Sequence, residues 1–306
     1  MFWLRKVASL PLIIFLVLLT SIQGKAQEKN VREKVAQGFQ YLYDFQFQKA
    51  DSISQKTLSL YPQHPLAHLL RAHYFWYLIV SGLNNNVNQE KCKSALKSAE
   101  KLQENKNKSM LNNDELFTQI SIEVLYARLE SLNGNEWNSF THLNKGTNSI
   151  KHSLGKENQY PYFLLVNGLY LYYRTYARSA YPYLAPYLVL MPSGNEAAGL
   201  QMLRTAAQSE DPFLSCEARY FLMKLCMARE WNKEAITLGA SLYQDYPKNL
   251  LFGYYYAVLC KQNNQSKELT GIYQKMLLND PASCGYLKGQ KDYFLGKIRA
   301  LMAERD

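Results

Sequence analysis

His64 and His68 stand four residues apart, the separation that places two imidazoles on one face of a helix where they could share a metal ion. Pro65 puts His64 at or before a helix start, and no acidic residue joins the pair as an H-E-x-x-H site requires, so the spacing predicts no metal centre. Ser193 lies in Ser-Gly-Asn-Glu rather than in a G-x-S-x-G nucleophile turn, and is expected to cap a helix. The acidic pairs Asp114-Glu115 and Glu210-Asp211 fall at expected helix starts, where the helix dipole favours negative charge. No glycine loop of the phosphate-binding kind is present. These exclusions predict a non-enzymatic protein without catalytic residues, metal or cofactor. They cover local motifs only, because carboxylate pairs of the glycosidase type can lie far apart in sequence.

A different chemistry is concentrated between Tyr160 and Tyr187, which hold nine tyrosines. On a helix from Tyr160 to Arg178, the positions Asn167, Leu171, Arg174 and Arg178 share one face, and Tyr170 sits one turn before Arg174. Guanidinium groups among aromatic faces can hold a peptide, a glycan or an anionic headgroup through stacking, hydroxyl hydrogen bonds and charge. Tyr170, Arg174, Arg178 and Tyr181 are therefore the ligand candidates of this stretch. Leu164, Leu165, Gly168, Leu169, Tyr172, Tyr173 and Tyr176 cover the remaining faces and read as packing residues. The helix should stop near Tyr181-Pro182, and Ser193 to Glu196 should open the next one near Asn195.

The chain that must position these groups has 306 residues, of which 47% are apolar and 20% charged, enough to bury a sizeable core and too balanced for disorder over most of the length. Residues 1–26 stand apart: Arg5 and Lys6 precede an apolar run from Leu10 to Leu19, and Gly24-Lys25-Ala26 offers small residues for cleavage after Ala26. That pattern predicts a secretory signal peptide, and with it a periplasmic or envelope-associated protein. A retained anchor is the alternative, since the uncharged stretch from Val7 to Gly24 approaches the roughly 20 residues of a membrane span. Removing the segment takes the net charge from +10 to +7. Basic residues are scattered, and the run from Glu90 to Lys108 mixes signs as a solvated helix face does. Export speaks against nucleic acid as a partner, whereas peripheral membrane association is compatible with the surplus. Five cysteines, none in C-x-x-C spacing, indicate neither a disulfide framework nor a zinc site.

Beyond the segment, apolar residues recur at three and four along nearly every stretch and period-two alternation is scarce, so the fold class predicted is all-α. Leu66 to Val80 is apolar around most of its circumference and should be buried on several sides. Further helices are expected over 88–105, 114–132, 136–152 and 160–178. Repetition is visible at both ends of the chain. Gly38, Tyr41, Ala50 and Pro62 occur in order, Pro212, Pro247 and Pro281 stand 35 and then 34 residues apart, and Ala235 and Leu269 lie twelve residues before the last two prolines as Ala50 does before Pro62. Small residues let paired helices approach, and proline ends one pair and starts the next.

These features resemble the tetratricopeptide repeat family, whose 34-residue unit places Leu-Gly, Tyr, Ala, an aromatic residue and Pro in that order. The clearest units are 31–64, 216–249 and 250–283 within a helical repeat domain spanning 27–306, with Cys226 and Cys260 where the first unit has Tyr41. The resemblance implies an α-α superhelix of antiparallel helix pairs, a solenoid whose first helices line a concave groove. The residues presented there would be Val35, Phe39 and Tyr43, then Tyr220 and Lys224, then Tyr254, Lys261 and Gln262. Val35 and Phe39 occupy the places that hold Lys and Asn in family members clamping a carboxylate, so that clamp is not expected. The function implied is a scaffold or adaptor docking a protein or peptide partner in the groove. The alternative is a small-ligand or glycan-binding protein using the region 160–187.

Overall fold

A computed structural model describes residues 10–104, 111–180, 183 and 185–303, with the backbone alone for 10–26, 179, 180 and 185. Within these residues the chain forms helices and turns only. Helix α1 (Leu10–Tyr43) pairs with α2 (Phe47–Leu60), α3 (Pro65–Val80) with α4 (Asn86–Glu104), and α5 (Asn113–Leu132) with α6 (Glu136–Ser153). Helix α7 (Phe163–Ala180) pairs with α9 (Glu196–Ala207) across the short α8 (Ala185–Leu188). Then α10 (Pro212–Ala228) pairs with α11 (Asn232–Asp245), and α12 (Leu250–Gln262) with α13 (Ser266–Leu278). After α14 (Pro281–Cys284), α15 (Gln290–Ala303) packs on α12 and α13. The all-α superhelix of sequential pairs expected from the repeat is what the chain builds.

One turn recurs throughout. The N–H of Gln46 donates to the Tyr41 carbonyl at 2.8 Å, Trp231 to Cys226 at 2.9 Å and Gln265 to Cys260 at 2.8 Å, and the residues just before these donors have φ of 58°, 58° and 56°. This is the Schellman way of ending a helix, in which a left-handed residue lets a later N–H reach a carbonyl of the last turn. It recurs in the middle of the chain with glycine in the left-handed place: Leu83 N–H reaches Leu78 O past Gly82, and Asn135 N–H reaches Glu130 O past Gly134. The same turn therefore joins the α3–α4 and α5–α6 pairs, where the sequence period blurs. Unequal connections around 105–112 and 181–195 shift the spacing without altering the hairpins.

Helix α3 is packed by α1, α2, α4 and α5, which accounts for its apolar circumference. The α7 and α9 backbones touch, with a Cβ on Gly199 falling 2.6 Å from the Gly168 carbonyl oxygen. Asn195, and not Ser193, caps α9: its side chain accepts the Ala198 N–H at 3.0 Å.

The superhelix closes on itself. Helices α1, α3, α5, α7 and α10 each touch the next, and α10 touches α1 again, so the first helices of five pairs form a ring. The closing contact is buried and polar. Glu217 of α10 accepts hydrogen bonds from the Tyr43 hydroxyl at 3.0 Å and the Tyr77 hydroxyl at 3.1 Å. Burial, and after it the neighbouring Glu217, push both phenols well above their ordinary pKa, so both keep the proton they donate. Asn249 Nδ2 donates to the Tyr43 carbonyl at 2.9 Å, and Gln290 Nε2 to Ser81 Oγ at 2.7 Å, fastening the C-terminal third to the N-terminal pairs.

Tyr77→Phe removes one bond from this buried set and is expected to lower stability by about 1–3 kcal/mol, read as a lower urea midpoint at unchanged slope. Gly199→Ala is expected to destabilise by about 1–3 kcal/mol through overpacking of α7 against α9, by the same measurement.

Candidate functional site

Closure of the ring leaves a channel along its inner face, divided into two adjoining cavities of about 360 and 820 Å³. His73, Phe117, Ser121 and Phe213 belong to both walls and form the neck between them. The smaller cavity is apolar, walled by Val35, Phe39, Leu66, Leu69 and Leu70 with the neck phenylalanines. Phe39 meets His73 and Phe213 edge-on, with ring centroids 4.9 and 4.7 Å away. At its rim Arg32 pairs with Asp114 and, at 3.1 Å, with Glu28. Tyr160 donates to Asp114 at 2.6 Å and Tyr162 to Asp211 at 2.7 Å. A hydrogen bond from His64 at 2.8 Å holds the Glu28 carboxyl down at about 2.

The larger cavity has a different character. The Arg128 guanidinium lies 4.6 Å from the Trp76 ring and 5.0 Å from the Phe221 ring, and Lys224 Nζ lies 4.3 Å from the Tyr255 ring. Among the described residues neither cation has a carboxylate partner within an ion-pair distance. The two carboxylates in the wall are engaged elsewhere: Glu123 with His142 at 2.8 Å, and Glu217 with the two tyrosines of the closure. At the neck, burial first and the Arg128 charge second hold His73 down at about 3, so the imidazole is neutral. Its Nδ1 is buried without a hydrogen-bond partner among the described residues.

The residues expected to bind are divided by this geometry. Phe39, Tyr220 and Lys224 line the channel. Tyr43 also lines it, but its hydroxyl belongs to the closure, so it is a structural residue. Tyr254 does not face the channel: it lies 6.0 Å from Phe294 and under Lys297, covered by α15. Lys261 and Gln262, in the last turn of α12, are absent from both walls. In the tyrosine stretch, Tyr170 donates to the Pro192 carbonyl at 2.7 Å and Arg174 to the Leu188 carbonyl. These two fasten the segment after α8 onto α7 and are not free for a ligand, although the Tyr170 ring also borders the larger cavity. Arg178 is exposed and lines neither cavity, and Tyr181 lies outside the described residues. Tyr173 and Tyr176, expected to pack, are 44% and 41% exposed, and Tyr173 opens onto the channel.

Arg128, Trp76, His73 and Phe213 are the channel residues that sequence reading passed over. Arg128 carries the one available signal, a cation between the apolar residues Ala127 and Leu129 of α5. His64 and His68 serve local structure, His64 accepting the Leu66 N–H at the start of α3 and His68 bonding the Pro62 carbonyl. Among the described residues no group of three or more His, Cys, Asp or Glu could hold a metal ion. All five cysteines are buried and unpaired, and burial raises the Cys92 and Cys226 thiols to about 12, which suppresses the reactive thiolate.

No family model and no curated protein matches the chain. Among solved structures, the crystal structure of the TPR domain of P58(IPK) is similar to it at 14% sequence identity, over 93% of this chain and 68% of that one, with a TM-score of 0.26. The helix pairing and the closed ring stand without that likeness. Fold and site together define a helical-repeat protein whose inner face is a lined channel.

His73 gives the channel a pH signature. In the unfolded chain the imidazole takes a proton below about 6.5, while in the folded protein it resists until about 3. Its contribution to stability is therefore complete above 6.5 and is lost as pH falls toward 3. The urea midpoint is expected to drop between pH 7 and pH 4 with a shallower slope in His73→Gln. Arg174→Ala is expected to expose the segment after α8 to limited proteolysis several-fold faster than in the parent chain.

Proposed function

We propose that this protein is an exported, non-catalytic scaffold of the cell envelope that receives an extended segment of a partner protein in its channel. The observation that carries the reading is the channel itself, a space bounded by the first helices of five pairs together with α6 and Tyr255 of α12, lined with aromatic rings and holding two cations without ion partners among the described residues. Aromatic walls supply contact area at low entropic cost, and arginine or lysine among them orients an acidic group on the incoming chain. Periplasmic or envelope placement rests on the leader pattern of residues 1–26. Among the residues whose side chains are described, no helix is long and apolar enough to cross a membrane.

A second reading, a small-ligand binding protein, is favoured by the apolar cavity behind the neck. Its volume of about 360 Å³ lies in the range of small-molecule pockets, and it meets the larger cavity only at the neck of His73, Phe117, Ser121 and Phe213.

A photo-crosslinking amino acid placed at Tyr173, on the open side of the channel, is expected to capture a specific protein in intact envelopes. The same group at Gln262, outside the channel, is expected to capture none. Equal capture from both positions, or none from Tyr173, defeats the scaffold reading.

A further inference from the structure

We infer that the channel takes a single-chain amphiphile, its anionic head held by Arg128 and its apolar tail lying in the smaller cavity. The inference rests on the small-ligand reading of this same channel.

Arg128 is a half-buried cation on the channel wall. A guanidinium carries five N–H groups in one plane, and contacts with aromatic faces satisfy its charge in part but accept none of those hydrogens. Trp76 and Phe221 are its neighbours at 4.6 and 5.0 Å, and among the described residues no oxygen accepts from it. A half-buried arginine left in this condition is poised for an oxyanion, which guanidinium binds with two parallel hydrogen bonds.

Position decides what is attached to that anion. Trp76 is one turn along α3 from His73, so the guanidinium stands beside the neck, and its charge is felt there as part of the depression of the His73 pKa. Beyond the neck the walls are mostly apolar, formed by Val35, Phe39, Leu66, Leu69 and Leu70. The charged residues among them, Arg32, Asp114 and Asp211, are held by partners of their own, each aspartate accepting a tyrosine hydroxyl and Asp114 pairing with Arg32. The channel thus sets a cation without an ion partner beside the neck and a largely apolar cavity behind it. Lys224 adds a second positive charge to the larger cavity, whose own carboxylates Glu123 and Glu217 are held by His142 and by Tyr43 with Tyr77. A monoanionic head joined to one unbranched apolar chain matches that order of groups.

The test is calorimetric titration of the chain with dodecanoate, dodecanol and dodecylammonium, each below its micelle-forming concentration. Saturable binding of one dodecanoate per chain is expected, at least about tenfold tighter than dodecanol, with dodecylammonium weakest. Arg128→Gln is expected to abolish the preference for dodecanoate over dodecanol, and Arg128→Lys to retain most of it. Phe39→Trp, which fills the smaller cavity, should weaken all three together. Should Arg128→Gln fail to fold, the comparison of the three probes on the parent chain decides alone. Equal binding of dodecanol and dodecanoate overturns the assignment to Arg128 while leaving a small-ligand site. No saturable binding of any probe overturns the amphiphile outright. In that case, native mass spectrometry of protein taken from its own envelope separates the two levels: a retained small molecule of another class keeps the small-ligand reading, and a bare chain removes it as well.

Discussion

The carboxyl group of Glu217, reached by the hydroxyls of Tyr43 and Tyr77, is the contact on which the rest of the arrangement depends. Helix pairs joined by short turns touch chiefly their neighbours in sequence, so a stack of them is nearly one-dimensional and stays open unless something distant joins it. Here residues 140 and 174 positions apart are joined within one buried cluster. A carboxyl group taken out of water loses several kcal/mol of solvation unless hydrogen bonds replace it, on the order of the cost of burying any unpaired ionisable group. Two phenols held in their protonated form supply that replacement without introducing a second buried charge. The consequence is geometric. Helix α10 is held against α1 and α3, and the concave face of an open superhelix becomes the inside of a ring.

Closure explains the fate of the groove residues. An open stack would present the first helix of its last pair as it presents the others, and Tyr254, Lys261 and Gln262 would share a surface with Tyr220 and Lys224. Once α10 turns back onto α1, α12 reaches the channel only through Tyr255 beside Lys224, and α15 covers the face bearing Tyr254. Gln290 and Asn249 fix that position by bonding Ser81 and the Tyr43 carbonyl across more than 200 residues of chain. Sequence periodicity records which side chains share a helix face. Which distant helix arrives to cover that face is decided by contacts between residues far apart, for which a single chain read in order offers no signal.

What was legible followed from local rules. Proline and capping residues punctuated the helices at Pro65, Pro212 and Pro281, and the kinship of Tyr41, Cys226 and Cys260 reappears as three carbonyls accepting the same N–H at the same turn. Asn133-Gly134-Asn135 was visible as a connection but not as the same turn, because glycine replaces a residue strained into positive φ and the period around it is broken by unequal loops. The tyrosine stretch shows the opposite difficulty. Tyr170 and Arg174 carry the groups a binding site uses, and the protein spends them on carbonyls of its own irregular segment, which has no helix ladder to satisfy them. Arginine and tyrosine beside a proline-rich connection thus have two uses with the same composition. Only the acceptor distinguishes them.

The same test, asking where each donor goes, separates Arg128 from Arg174. Both are half-buried arginines on first helices of the ring, but Arg174 reaches a backbone carbonyl of its own chain, with its Nε left buried and unpartnered, whereas Arg128 finds two aromatic faces. Rings stabilise a cation by about 0.5–2 kcal/mol and leave its hydrogens unused, so a site of this kind trades stability for the capacity to accept an oxyanion. His73 beside Arg128 is kept neutral first by its burial and then by the same charge, since a protonated imidazole would stand near a guanidinium. The ring closed by one uncharged-partner contact at Glu217 therefore encloses, on its inner wall, a charge kept without a partner from its own chain.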